Sequence, residues 1–203
     1  MRLRKPGTAR PLLPQGTNTG PCQPVERDHA LMREILAVLW AVRHPVGITT
    51  RGTMTGRDID LIAPMAAQGP AAVPISGTTP DVGLARKREP RAPAPRRRLP
   101  VIERLARAGI PVRIQISPLI PAPTGHELEA VMQTGRHAGA TAANCSPLRL
   151  PPEVSALFRE WPEVAFPARA ARIMGRAREL HGGCHCDPRI RHPPARPGPP
   201  GPC

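Results

Sequence analysis

The chain is 203 residues long, enough to bury the core of one ordinary domain and too short for two domains with a tail. With 30 prolines, 18 glycines and only 2% aromatic residues it stands near the composition of low-complexity chains, and it has no run approaching the ~20 apolar residues of a membrane-spanning helix. The formal charge is +14, nearly all of it arginine because Lys5 and Lys87 are the only lysines; such a surplus attracts phosphates in general, but here it accompanies enriched Ala, Pro and Gly, as a GC-rich coding sequence produces.

Residues 1–15 read as a lead containing a short strand remnant, Leu12 to Gln15. From Glu26 to Val42 the residues Leu31, Ile35, Val38, Leu39 and Val42 recur at helical spacing, predicting a one-faced helix that Pro45 terminates. A β-prone run, Val46 to Thr50, precedes a second helix from Asp58 to Ala67 with Ile59, Ile62 and Met65 inward, and Pro64 is expected to kink it or delay its start. The alternation then repeats: Ala72 to Gly77 before a helix from Pro95 to Ala108, Val112 to Ser117 before one from His126 to Ala138, and Thr141 to Ser146 before one from Glu153 to Trp161. About five βα units at this spacing predict a parallel sheet, in a barrel or a doubly wound form. Pro74, inside a predicted central strand, removes a ladder donor there, and Pro147 closes another strand. Beyond Gly183 the chain is Pro-rich with nothing to bury, so residues 184–203 are expected to be a disordered tail.

Cysteines at 22, 145, 184, 186 and 203 form no regular framework and follow no export signal, which predicts a reduced, cytoplasmic chain. Cys184-His185-Cys186, with His181 and His192 nearby, offers nitrogen and sulfur ligands but lacks the two-knuckle spacing of structural zinc sites, and no metal site is assigned. No Ser/His/Asp order, phosphate loop or paired-carboxylate pattern stands out. Arg96-Arg97-Arg98 is the one tight basic run.

The turn Gly16-Thr17-Asn18-Thr19-Gly20-Pro21-Cys22-Gln23-Pro24-Val25-Glu26 carries a resemblance. It is joined, in order, by Arg43-His44-Pro45-Val46, Arg57-Asp58-Ile59-Asp60-Leu61, Glu89-Pro90-Arg91-Ala92, Gly109-Ile110-Pro111-Val112, Pro118-Leu119-Ile120-Pro121, His126-Glu127-Leu128-Glu129, Leu148-Arg149-Leu150-Pro151 and Leu157-Phe158-Arg159-Glu160-Trp161. Over residues 16–183 the chain resembles the radical S-adenosylmethionine proteins related to spore photoproduct lyase, whose corresponding turn has Asp at Gly20 and Tyr at Cys22. The resemblance implies an α/β fold, a partial TIM-like (β/α) barrel missing its first βα unit. It implies S-adenosylmethionine and a [4Fe–4S] cluster as cofactors, although no Cys-x3-Cys-x2-Cys stands in this sequence to hold the cluster.

By similarity Thr17, Asn18 and Glu26 face the methionine amino group, Ser76 and Thr78 form a ribose-side polar pair, and Arg51 stands at a family lysine. Arg91 offers a guanidinium fork for a carboxylate, and Glu89 could orient it. The same residues have plainer readings as turn formers and solvated loop residues. The expected function is thus that of a truncated radical enzyme domain, inactive on its own, with a separate chain as one source of the missing cluster segment. The alternatives are a non-catalytic basic nucleic-acid-binding protein and a non-functional gene fragment.

Overall fold

The computed structural model describes residues 11–16, 20–77, 79–120 and 127–180. Five strands alternate with helices among these: β1 (Leu13–Gln15), β2 (Val46–Ile48), β3 (Ala71–Ser76), β4 (Val112–Leu119) and β5 (Ala142–Pro147). They form one all-parallel sheet in the order β1-β2-β3-β4-β5, each strand within two residues of its expected position. The sequential order contains no reversal, so within this sheet there is no switch point of the kind that gives doubly wound sheets their crevice.

Alternation decides which face of the sheet is covered. In β3 Ala71, Val73 and Ile75 are buried, and in β4 Val112, Ile114 and Ile116 are, while the intervening Arg113 is exposed and Gln115 half-buried. The register sets Val73 beside Val112 and Ile75 beside Ile114, giving one continuous aliphatic surface. Helices α2 (Leu31–Ala41), α3 (Ile59–Gln68), α5 (Pro95–Arg107) and α6 (Leu128–His137) bring Met32, Leu36, Leu39, Ile62, Met65, Val101, Ile102, Leu105 and Val131 into the same core. Both α5 and α6 end in a glycine with positive φ, Gly109 at 74° and Gly139 at 98°, where a side chain would strain the backbone. The chain then enters the next strand within three residues.

Several expectations are corrected. The single helix expected from Glu26 to Val42 is broken at Ala30, which takes a left-handed conformation (φ 52°) between a one-turn α1 (Glu26–His29) and α2. Of the five residues expected on its inward face only Leu39 is buried; Met32 and Leu36 join it, while Leu31, Ile35, Val38 and Val42 are exposed. The helix carries two aliphatic stripes, and periodicity alone does not say which one meets the sheet. Pro64 neither delays α3 nor ends it, and a short helix not anticipated from periodicity, α4 (Val82–Arg88), follows β3.

Compact contacts divide the chain into two units. The first holds residues 11–119 and 127–146, with the sheet and the helices above. The second holds residue 120 and residues 147–180, with α7 (Pro152–Ala165) and α8 (Ala170–Leu180). Its core is Ile120, Leu148, Leu150 and the fully buried Ile173, faced by Phe158, Trp161 and Phe166. Trp161 sits 5.7 Å from Phe158 and 5.3 Å from Phe166 between ring centroids, the latter edge to face. The tail expected from residue 184 lies outside the described residues, and no helix among the described residues is long and apolar enough to cross a membrane.

Pro74 behaves as its chemistry requires. The β2–β3 ladder pairs Val46 with Ala71 and Gly47 with Ala72, lapses, and resumes only as an isolated bridge between Thr50 and Ile75. The interruption falls where Pro74 has no N–H to give, although its carbonyl still accepts from the Thr50 N–H at 3.0 Å. Pro74→Val should restore that donor and raise stability by about 1 kcal/mol. Thermal and urea unfolding check this; an unchanged or lower midpoint would show that the ladder gap is of no energetic consequence.

Candidate functional site

Parallel βα sheets gather ligand-facing groups at the carboxyl ends of their strands, where loops supply polar side chains over a fixed scaffold. The carboxyl ends of β2 and β3 are joined in this way. Beyond β2, the Thr50 N–H donates to the Pro74 carbonyl and the Ser76 N–H returns to the Thr50 carbonyl at 2.9 Å, which places Arg51 beside the end of β3. Glu89, just past the end of α4, accepts from Arg51 Nε at 2.9 Å and from Arg98 Nη2 at 2.7 Å. Arg98, on the first turn of α5, also donates through Nη1 to the Ser76 carbonyl and through Nε to the Pro93 carbonyl at 3.1 Å.

One guanidinium therefore ties strand end, loop and carboxylate together. The Glu89 side chain is 11% exposed and that of Arg98 5%, whereas Arg51 is half exposed. Arg88, at the end of α4, donates through Nη2 to the Pro118 carbonyl at 2.9 Å, and its buried Nη1 has no hydrogen-bond partner among the described residues. Burial pushes its pKa down. Across the loop Thr79 donates to Glu127 and accepts from the Asp81 N–H, while the Asp81 carboxylate caps α4 through the N–H groups of Gly83 and Leu84. Behind this rim a cavity of about 150 Å³ is bounded by Ile75, Ser76, Ile102, Ile114, Val131 and Gly135, with Arg98 and Thr79 among its few polar neighbours.

Of the residues singled out from the sequence, Arg51, Ser76 and Glu89 meet at this rim. Arg91 is exposed in the turn closed by the Ala92 N–H to the Glu89 carbonyl, and the expected Glu89–Arg91 pairing is replaced by pairing with Arg51 and Arg98. Thr17, Asn18 and Thr78 lie outside the described residues, as do Cys184, His185 and Cys186. Arg98 was visible only as part of a basic run, and nothing in the sequence marked Arg88, Thr79 or Glu127 as its neighbours.

Glu26 belongs to a second network. Its buried carboxylate accepts from the Met32 N–H at 3.0 Å, which caps the start of α2, and lies 3.6 Å from Arg57 Nη2. Arg57 also donates to the Glu26 carbonyl at 2.7 Å and grips Asp58 at 2.8 and 3.1 Å. Arg33 in turn bridges Asp58 and Asp60, and its hydrogen bonds, with its charge, hold the Asp60 carboxyl below the ordinary value. These contacts commit Glu26 to holding α1, α2 and the 3₁₀ turn Met54–Arg57 together.

Cys22 completes that network, with Sγ 3.1 Å from Thr55 Oγ1 in a buried position. Burial raises the thiol pKa above its ordinary value of 9.0, and the nearby Asp58 and Glu26 charges act in the same direction. Among the described residues no group of three His, Cys, Asp or Glu side chains is arranged to hold a metal ion.

No family model matches the chain. It is similar to uncharacterised proteins of Mycobacterium tuberculosis and Mycobacterium bovis, each 34% identical over 181 residues, a stretch that covers 88% of this chain and 52% of the relative. The chain thus spans about half the length of the curated relatives it matches.

The Cys22 environment makes a prediction with a definite sign. A thiol whose pKa is raised on folding stabilises the fold fully below the unfolded value, and that contribution is lost as pH rises through the folded value. Unfolding midpoints should fall above about pH 9, less so in Cys22→Ala, and Cys22 should be alkylated far more slowly than the exposed Cys145. Equal alkylation rates by mass spectrometry would contradict this burial.

Proposed function

We propose that this chain is a catalytically incomplete (β/α) domain of the radical S-adenosylmethionine type. Its strand-end rim positions the cofactor, while the cluster chemistry depends on residues that this chain does not contain. The observation that carries the reading is the convergence of Arg51 and Glu89. Arg51 is named by the resemblance and Glu89 as the residue to orient Arg91; they lie 38 residues apart and form a 2.9 Å ion pair at the carboxyl ends of adjacent strands, with Ser76 joined to them through Arg98. The sequential strand order adds support, since right-handed crossovers along such a sheet place every helix on one face, the winding of a barrel segment.

The residues fit the two cofactors unequally. For the iron–sulfur cluster the donor set does not fit: Cys22 is buried against Thr55, Cys145 stands on a separate strand, and the sequence has no Cys-x3-Cys-x2-Cys. No step through a cluster is therefore derived for this chain. For S-adenosylmethionine the fit is partial. Arg51 presents the guanidinium edge not used on Glu89 to a carboxylate, and Ser76 is among the few polar residues lining the cavity, where a ribose or similar polar group would sit. Glu26 already holds the Met32 N–H and Arg57 through Oε2.

The nucleic-acid alternative has less behind it. Arg96 and Arg97 are exposed on α5, but Arg98, the third member of the run, is buried on Glu89 and Ser76.

Anaerobic reconstitution with iron and sulfide should give no stoichiometric cluster and no 5′-deoxyadenosine from S-adenosylmethionine. Equilibrium dialysis with labelled S-adenosylmethionine should give weak binding that Arg51→Ala reduces by about tenfold, the effect of losing one charge-assisted contact of about 1.5 kcal/mol. A stoichiometric cluster with turnover would overturn the incompleteness, and binding indifferent to Arg51 would overturn the rim as a cofactor site.

A further inference from the structure

The cavity behind the rim lies in the helix layer, between α5 and α6, and its wall is mostly aliphatic. Ile75 and Ile114 line it from the covered face of the sheet, Leu99 and Ile102 from α5, and Val131 from α6. A Cβ on Gly77, the residue that follows β3, would stand 3.3 Å from Ile114 Cγ2 and 3.7 Å from Val131 Cγ1, so glycine at that position leaves the space open. The volume is about 150 Å³. An apolar cavity of roughly that size, lined by aliphatic and aromatic side chains, stays dry and takes up benzene.

The polar groups of the wall are largely engaged by the protein itself. Thr134 donates to the Ala130 carbonyl at 2.7 Å, and Thr79 is held by Glu127 and the Asp81 N–H. The three Arg98 nitrogens are committed to Pro93, Ser76 and Glu89. A polyol filling the whole space would therefore bury hydroxyls without partners, and only the Ser76 edge suits one. An occupant of the depth must be apolar over most of its body.

The mouth carries a charge. Pro80 and Arg96 are exposed residues of the wall, so the cavity meets solvent between the loop after β3 and the first turn of α5. The Arg96 guanidinium has no hydrogen-bond or ion-pair partner among the described residues, and the first turn of α5 holds no acidic residue. An anionic end on the occupant would meet this guanidinium while the apolar body stays inside.

We propose that the cavity binds a small organic monoanion with one ring-sized apolar body, an aromatic or branched aliphatic carboxylate. Its body packs against Ile102, Ile114 and Val131 and its carboxylate faces Arg96. The inference goes beyond the cofactor reading and does not rest on it, because Arg51 is not part of the cavity wall.

Benzoate is the probe, titrated into the full chain with methyl-labelled isoleucine and valine and followed by NMR. Saturable binding in the millimolar range is expected, with nuclear Overhauser contacts from the ring protons to the Ile114 and Val131 methyls. Benzylamine, with the same ring and the opposite charge, should bind at least about threefold more weakly, and Arg96→Gln should remove that difference, the size expected of one exposed ion pair. Val131→Phe, which fills the space, should abolish benzoate binding, whereas Arg51→Ala should leave it unchanged, so that failure here is separable from failure of the cofactor reading. Absence of saturation, ring contacts confined to other methyls, or equal affinity for benzoate and benzylamine in the native chain would overturn the proposal.

Discussion

The Glu89 carboxylate, held between Arg51 and Arg98, is the interaction on which the strand-end rim depends. A carboxylate only 11% exposed is costly to desolvate unless charged donors surround it, and here each oxygen has its own guanidinium. The two arginines come from different places, one following β2 and the other opening α5. Arg98 extends the connection to the Ser76 and Pro93 carbonyls, so the ends of β2 and β3 and the loop into α5 are fixed to one another. Removing Glu89 would leave the buried Arg98 without a carboxylate, and removing Arg98 would leave Glu89 only the half-exposed Arg51, which is why this rim is a rigid platform and not a set of independent loops.

A second carboxylate does comparable work in the loops that follow β1 and β2. Glu26 caps α2 and receives Arg57, and Arg57 with Arg33 links it to Asp58 and Asp60. The left-handed Ala30 is what allows this geometry, since it ends α1 and starts α2 within one residue, bringing the Met32 N–H onto a side chain six positions earlier. The segment that most resembles a cofactor-facing turn is therefore anchored by its own acid.

The sheet was legible because βα alternation writes itself in aliphatic runs of five or six residues separated by helical spacing, and Gly109 and Gly139 mark where helices give way to strands. The rotation of α2 was not, because Leu31, Ile35, Val38 and Val42 make as good a stripe as Met32, Leu36 and Leu39. Nor was the break at Ala30, since alanine carries no signal for a left-handed backbone. Of the rim, Arg51, Ser76 and Glu89 could be named through the resemblance, but Arg98 looked like surplus charge within a run of three. Its burial depends on contacts with Ser76, 22 residues earlier, and Glu89, nine residues earlier, a coincidence in space that no local pattern records.

The measurement that tests this account most directly is a double-mutant cycle between Glu89→Gln and Arg98→Met, followed by urea unfolding at neutral pH. A buried, hydrogen-bonded charge pair that organises the rim should show a coupling energy of at least about 1.5 kcal/mol, with either single variant costing nearly as much as both together. Additive effects, with coupling below about 0.3 kcal/mol, would mean that the pair does not hold the rim together and would contradict the account.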